Sequence, residues 1–180
     1  RFYTSDQITR SAVSYFNLVY LPLGKAHPAS VPMEKRGVLM PPVIFDREAE
    51  AVREELTDAL QSGVRHILVG NIGHLPLIRE VVAACGLTDE VTLHGDLRLN
   101  TANTPAAARL LSLGLDDLIL SPELTLPRMR DISLSLADRG HAAAGGVVYG
   151  HLPLMTLEKC AIRELYRHKK PDAVCRESGG

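Results

Sequence analysis

Histidine, carboxylate, hydroxyl and amide side chains recur at one kind of place in this sequence, immediately after short apolar runs. His94-Gly95-Asp96 closes the run Val91-Thr92-Leu93, with Asn100 and Asn103 soon after, and Gly70-Asn71 closes the run from His66. Ser121-Pro122-Glu123 follows Leu118-Ile119-Leu120, and Tyr149-Gly150-His151 follows Gly146-Val147-Val148. His94 and Asp96 straddle one glycine, a spacing that could bring an imidazole and a carboxylate to one ligand or metal. The same residue types also serve structure: an Asp before a loop caps a turn, and a strand-end His bonds a backbone carbonyl. Ser121 could be a nucleophile activated by His94 or His151, with Glu123 as a neighbouring carboxylate. No GxSxG elbow surrounds it, and Ser-Pro-Glu equally opens a helix, where Glu123 suits the positive end. Gly150 leaves room for a ligand close to the backbone, whereas Leu152 and Met155 read as packing residues.

Cys160 and Cys175 lack the CxxC pairing of ordinary zinc modules. Two thiolates are half of a four-ligand site, so they either contribute to an iron–sulfur cluster completed by other cysteines or are two unrelated free thiols. Cys85 lies in an apolar helical stretch. His27, His66, His74, His141 and His168 show no ligand spacing and are expected in loops or on the surface.

Helical patterns alternate with short apolar runs at intervals of about 25 residues, the rhythm of βαβ units. A first helix is expected over Ser5 to Phe16, with Ile8, Ala12, Tyr15 and Phe16 on its buried face, leading into a strand from Leu18 to Leu23. The next strand is Val38-Leu39-Met40. Asp46 is expected to cap a helix whose buried stripe is Ala49, Val52, Leu56, Ala59 and Leu60 and which Gly63 ends. Strands follow at His66–Gly70, Val91–His94, Leu118–Leu120 and Gly146–Tyr149. Between them lie a helix through Leu77, Ile78, Val81, Val82 and Cys85, one capped by Thr104 with Pro105 at its first position and closed by Gly114, and one through Met129, Ile132 and Leu136. Thr156 is expected to cap a last helix through Leu157, Ala161 and Leu165. The strands are read as parallel and buried on both faces, which explains apolar runs without alternation.

About six such units suit a parallel (β/α) barrel of TIM type, although a closed one needs eight; the rival is an open doubly wound sheet. The segment Leu21-Pro22-Leu23-Gly24-Lys25 is neither a GxGxxG turn nor a P-loop, which favours the barrel. With 180 residues, 46% of them hydrophobic, the chain is expected to form one compact domain with a real core. Lys and Arg number 20 against 21 Asp and Glu, so charge gives no reason to expect nucleic-acid binding. No apolar run approaches the roughly 18 to 20 residues that span a bilayer, there is no apolar signal core, and three sparse cysteines do not make a disulfide framework. A cytoplasmic location without membrane association is expected.

Taken together, the segments His94-Gly95-Asp96-Leu97-Arg98-Leu99-Asn100, Leu120-Ser121-Pro122-Glu123-Leu124 and Tyr149-Gly150-His151-Leu152-Pro153-Leu154-Met155, with Asn103 and Cys160, resemble the C-terminal half of the catalytic domain of peptidase family U32. The resemblance spans residues 6–175. It implies a (β/α) barrel of the collagenase-like protease family, acting on a peptide or protein. Other members resemble iron–sulfur proteins of RNA-base or ubiquinone-ring hydroxylation, so that activity is a second expectation, and an inactive barrel used for binding or assembly is a third. Cys160 matches the first family cysteine and Cys175 a later one, which implies a cluster in the complete protein. The family has Arg where this chain has His151, which removes a bidentate donor there.

The expected pocket holds Asn71, Asn100, Ser121, Tyr149 and His151 as substrate contacts and His94, Asp96 and Glu123 as catalytic groups. His94 or Glu123 would be the general base, and Asp96 would orient a partner or hold a divalent metal. The family continues beyond its cysteines into a Leu-x-Asp-Arg segment and has strand units before those seen here. The chain is therefore expected to be part of a longer protein, a partial barrel whose exposed strand edges favour a homo-oligomer or a domain swap.

Overall fold

The computed structural model describes residues 1–141, 144–152 and 157. The chain divides into two compact units, Arg1–Val148 and Tyr149–Gly180. The first unit is an α/β layer structure. Its strands are β1 (Val19–Pro22), β2 (Arg36–Leu39), β3 (His66–Val69), β4 (Thr92–Gly95) and β5 (Asp117–Leu118), all parallel and in the spatial order of the sequence. That order never reverses, so the sheet has no switch point of the doubly wound kind.

Helices α2 (Ala49–Gln61), α3 (Leu75–Ala84) and α4 (Thr104–Ser112) connect successive strands from β2 onward, and α5 (Leu126–Ala137) follows β5. They bury one face of the sheet. Val38, Ile67, Val69, Leu93, Leu118 and Leu120 share a single core with Val52, Leu56 and Leu60 of α2, Ile78 and Val81 of α3, Leu111 of α4 and Leu136 of α5. The predicted stripe of α2 is thus confirmed at Val52, Leu56 and Leu60, and Gly63 ends that helix with φ of +92°, a conformation glycine adopts without a Cβ penalty. Between β1 and β2 there is a loop ending in a 3₁₀ turn, Met33–Lys35, instead of an α-helix. It is tied down by His27 Nε2 on the Val19 carbonyl at 3.1 Å and by Arg36 Nε donating to the Val31 carbonyl at 2.9 Å.

Side chains alternate across a strand and laterally paired residues share a face, so the register fixes the composition of the second face. Tyr20 pairs with Gly37 and Gly37 with His66, while Leu68 pairs with His94 and His94 with Asp117. The expectation of strands apolar on both faces is therefore corrected. Only the helix-facing side is uniformly apolar, and the other carries Tyr20, His66, His94 and Asp117 alongside Leu39 and Leu68.

Several boundaries also differ from expectation, each for a local reason. The helix expected over Ser5 to Phe16 splits into a 3₁₀ turn, Ser5–Gln7, and α1 (Arg10–Tyr15), because Thr9 accepts a hydrogen bond from the Ala12 amide at 3.2 Å and starts a new helix. No residue of α1 is buried, and Tyr15 is 82% exposed, so the predicted apolar face is not buried. Asp46 opens a 3₁₀ turn ahead of α2 and does not cap it. Asn103, rather than Thr104, caps α4, its Oδ1 accepting from the Ala106 amide at 2.9 Å. The strand expected at Gly146–Tyr149 is represented by one parallel bridge, Ile119 to Gly145, with no longer strand among the described residues. Apart from Leu157, the helix expected after Thr156 lies outside the described residues. No helix among them is long and apolar enough to cross a membrane.

Gly37 has a steric duty. A Cβ there would lie 2.5 Å from two ring carbons of Tyr20, which crosses β2 at this point. Gly37→Ala is expected to destabilise the protein by about 1–3 kcal/mol in urea denaturation. In a Tyr20→Ala background the same substitution is expected to add little, because the overlap is gone; an undiminished cost there would contradict this packing.

Candidate active site

On the face of the sheet opposite the helices, Asp117, His94 and His66 form a connected polar group against which Tyr20 lies. Asp117 Oδ2 lies 2.8 Å from His94 Nδ1, and His94 Nε2 lies 3.1 Å from His66 Nδ1. The edge of the Tyr20 ring meets His94, with centroids 5.8 Å apart and planes at 77°. His94 is only 8% exposed. With both imidazoles uncharged, the hydrogen-bond pattern places their protons. As a carboxylate Asp117 only accepts, so His94 Nδ1 donates to it; the Nε2 of neutral His94 then accepts, and His66 Nδ1 donates to that nitrogen. What remains is the Nε2 lone pair of His66, which has no protein partner among the described residues. Burial, reinforced by the neighbouring His94 and opposed by Asp117, lowers the pKa of His66 and so favours its neutral form. Burial and the charge of Asp117 push the Tyr20 hydroxyl well up, so it stays protonated.

Asp96 lies on the same face as His94, two residues further along the chain and just past the end of β4. It is 1% exposed and carries two guanidinium groups: Arg1 Nη1 is 3.2 Å and Arg98 Nε 3.6 Å from Oδ2. His94 and Asp96 thus share a face but not a partner, and the expected convergence of the two on one ligand gives way to two separate clusters. Among the described residues no group of three or more His, Cys, Asp or Glu is placed to hold a metal ion.

A family model described as Peptidase family U32 matches residues 33–178. The chain belongs to peptidase family U32. No curated protein matches its sequence.

Within this U32 chain Asn71, Asn100, Ser121 and Glu123 follow the carboxyl ends of their strands. Asn71 is half-buried and its Oδ1 accepts from the Gly73 amide at 2.9 Å, holding the turn that leads into α3. Asn100 is exposed and left-handed, with φ of +48°, after the 3₁₀ turn Leu97–Leu99. Ser121 is fully buried; its amide donates to the Thr101 carbonyl at 2.9 Å, and its Oγ accepts from the Glu123 amide at 3.4 Å. Glu123 is exposed, and no hydrogen bond or ion pair joins its carboxylate to His94 or Asp96 among the described residues. Tyr149 and His151 are exposed residues of the second unit. Cys160 and Cys175 lie outside the described residues, as does His168.

His66 was expected in a loop or on the surface, and the structure corrects this: it is the first residue of β3 and a member of the polar group. His74 is likewise buried, not superficial. Tyr20, Asp117 and Arg98 complete the residues that spacing alone did not single out. A signal was present in the paired acids Asp116-Asp117. They point to opposite sides, Asp116 accepting from the Leu93 amide at 2.7 Å and Asp117 reaching His94.

A base whose pKa is lowered by folding binds fewer protons folded than unfolded. The stability tied to neutral His66 is therefore complete above its ordinary value of 6.5 and is lost as pH falls through the lowered one. Chemical denaturation at pH 7.5 and pH 5 is expected to show the wild type losing more stability on acidification than His66→Gln. His27 and His74, lowered in the same direction by burial, act equally in both proteins. Equal losses in the two would contradict a neutral, half-buried His66.

Proposed function

We propose that this chain supplies the catalytic face of a peptide-bond hydrolase built as a (β/α) barrel of TIM type, here a partial one of about six units. The sequential parallel strand order, helices on one face and polar groups on the other support the barrel. Membership of the U32 family supports peptidase chemistry. The observation that carries the mechanism is the Asp117–His94–His66 hydrogen-bond chain, at 2.8 and 3.1 Å.

Amide hydrolysis needs a base to deprotonate water and an acid to protonate the departing amine. The free Nε2 of His66 takes the proton from water as its oxygen attacks the scissile carbonyl carbon. The same proton is then given to the amine nitrogen as the C–N bond breaks. His94 and Asp117 fix the tautomer that presents this lone pair and stabilise the imidazolium formed between the two steps. His94 thus acts through His66, as a positioning residue. Glu123, exposed beyond β5, is the alternative base.

Peptide turnover by the complete protein tests the assignment. His66→Gln and Asp117→Asn are expected to lower kcat by about 10²–10⁴ with little change in KM, while Glu123→Gln retains activity. The rate should fall on acidification below pH 6.5, following the lowered His66. Activity that survives His66→Gln but is lost in Glu123→Gln would transfer the role of base to Glu123.

A further inference from the structure

At the carboxyl ends of β1 and β2, beside the Asp96 cluster, lies a cavity of about 310 Å³. Pro22, Leu39, Pro41 and Pro42 give it apolar walls, and Tyr3 and Arg98 supply its polar groups. Arg98 is held there by two independent features. Its Nε faces Asp96 Oδ2 at 3.6 Å, and its aliphatic stem runs over Gly70, where an added Cβ would lie 3.0 Å from Arg98 Cδ and 3.3 Å from Arg98 Cβ. A side chain at position 70 would press on this stem and force it to shift by a few tenths of an ångström.

Among the described residues the charge around Asp96 does not balance locally, since one carboxylate faces both Arg1 and Arg98. Nη1 of Arg98 is moreover buried without a hydrogen-bond partner among the described residues. A buried charged N–H without an acceptor is costly, and an oxyanion is the ligand that relieves both the missing hydrogen bond and the excess charge. The volume is at the small end for ligand sites and suits one residue-sized group with an apolar body and a charged end.

We propose that this cavity is a subsite for a carboxylate-bearing residue of a peptide, with Arg98 as the carboxylate's partner and the Pro and Leu walls receiving the apolar part. The substrate class rests on the peptidase reading, whereas the anion site rests on the cavity itself. The carboxylate is either a peptide's C-terminus or an acidic side chain, two sources of one chemistry.

Binding to the complete protein, measured by titration calorimetry, separates the outcomes. The probes are N-acetyl-Ala-Leu as the free acid, the same peptide as its amide, and N-acetyl-Asp-Leu amide. One of the two acidic peptides is expected to bind at least about tenfold more tightly than the neutral amide: the free acid if the site takes a C-terminus, the Asp peptide if it takes a side chain. Arg98→Met is expected to erase that preference and Arg98→Lys to retain part of it. Equal binding of all three peptides, or a preference that survives in folded Arg98→Met, would overturn the proposal; the wild-type comparison decides even if the variant fails to fold. A protein that prefers the acidic peptide yet cleaves nothing keeps the subsite and loses the hydrolase reading, and the reverse result does the opposite.

Discussion

Everything functional on this sheet depends on the lateral register of β3, β4 and β5. Because His66 pairs with Thr92, Leu68 with His94, and His94 with Asp117, three polar residues from three strands share the face opposite the helices. A slip of one residue in β4 would turn His94 into the helix-facing core and expose Leu93 in its place. The apolar packing of Ile67, Val69, Leu93 and Leu118 against the helices therefore holds more than the fold in place. It also sets the 2.8 and 3.1 Å contacts through which Asp117 determines the tautomer of His94, and His94 that of His66.

The second cluster is built by a different device. Asp96 and Arg98 belong to the segment that leaves β4, and the room they need comes from just past the end of β3, where Gly70 presents no side chain. Gly37 does the same for Tyr20 one strand further away. In both places a glycine makes space for a functional side chain from a neighbouring segment. Such a relation crosses the sheet and is invisible to any window along the chain.

This explains what could be read in advance. The alternation of strands and helices, the buried stripe of α2 and the parallel arrangement follow from local periodicity, and His94 and Asp96 were legible as polar residues at the end of an apolar run. Their partners were not. His66 opens an apolar run at the opposite end of its strand from the loops where chemistry was sought, and Asp117 looks like half of an acidic pair preceding a strand. Asn71, Asn103 and Ser121 were legible as polar residues at strand ends, but their hydrogen bonds show them shaping turns or capping a helix. A polar residue after a strand serves the backbone first when an unpaired amide lies two or three residues on.

The central claim is a proton arrangement, and imidazole nitrogen shifts report it directly. In nitrogen-15 NMR of histidine-labelled protein at pH 8, His94 and His66 are both predicted to carry their proton on Nδ1, leaving the Nε2 of His66 as an unprotonated base, and Asp117→Asn is predicted to perturb both rings. A His66 protonated on Nε2 at that pH would leave no free lone pair at the end of the chain and would contradict the account.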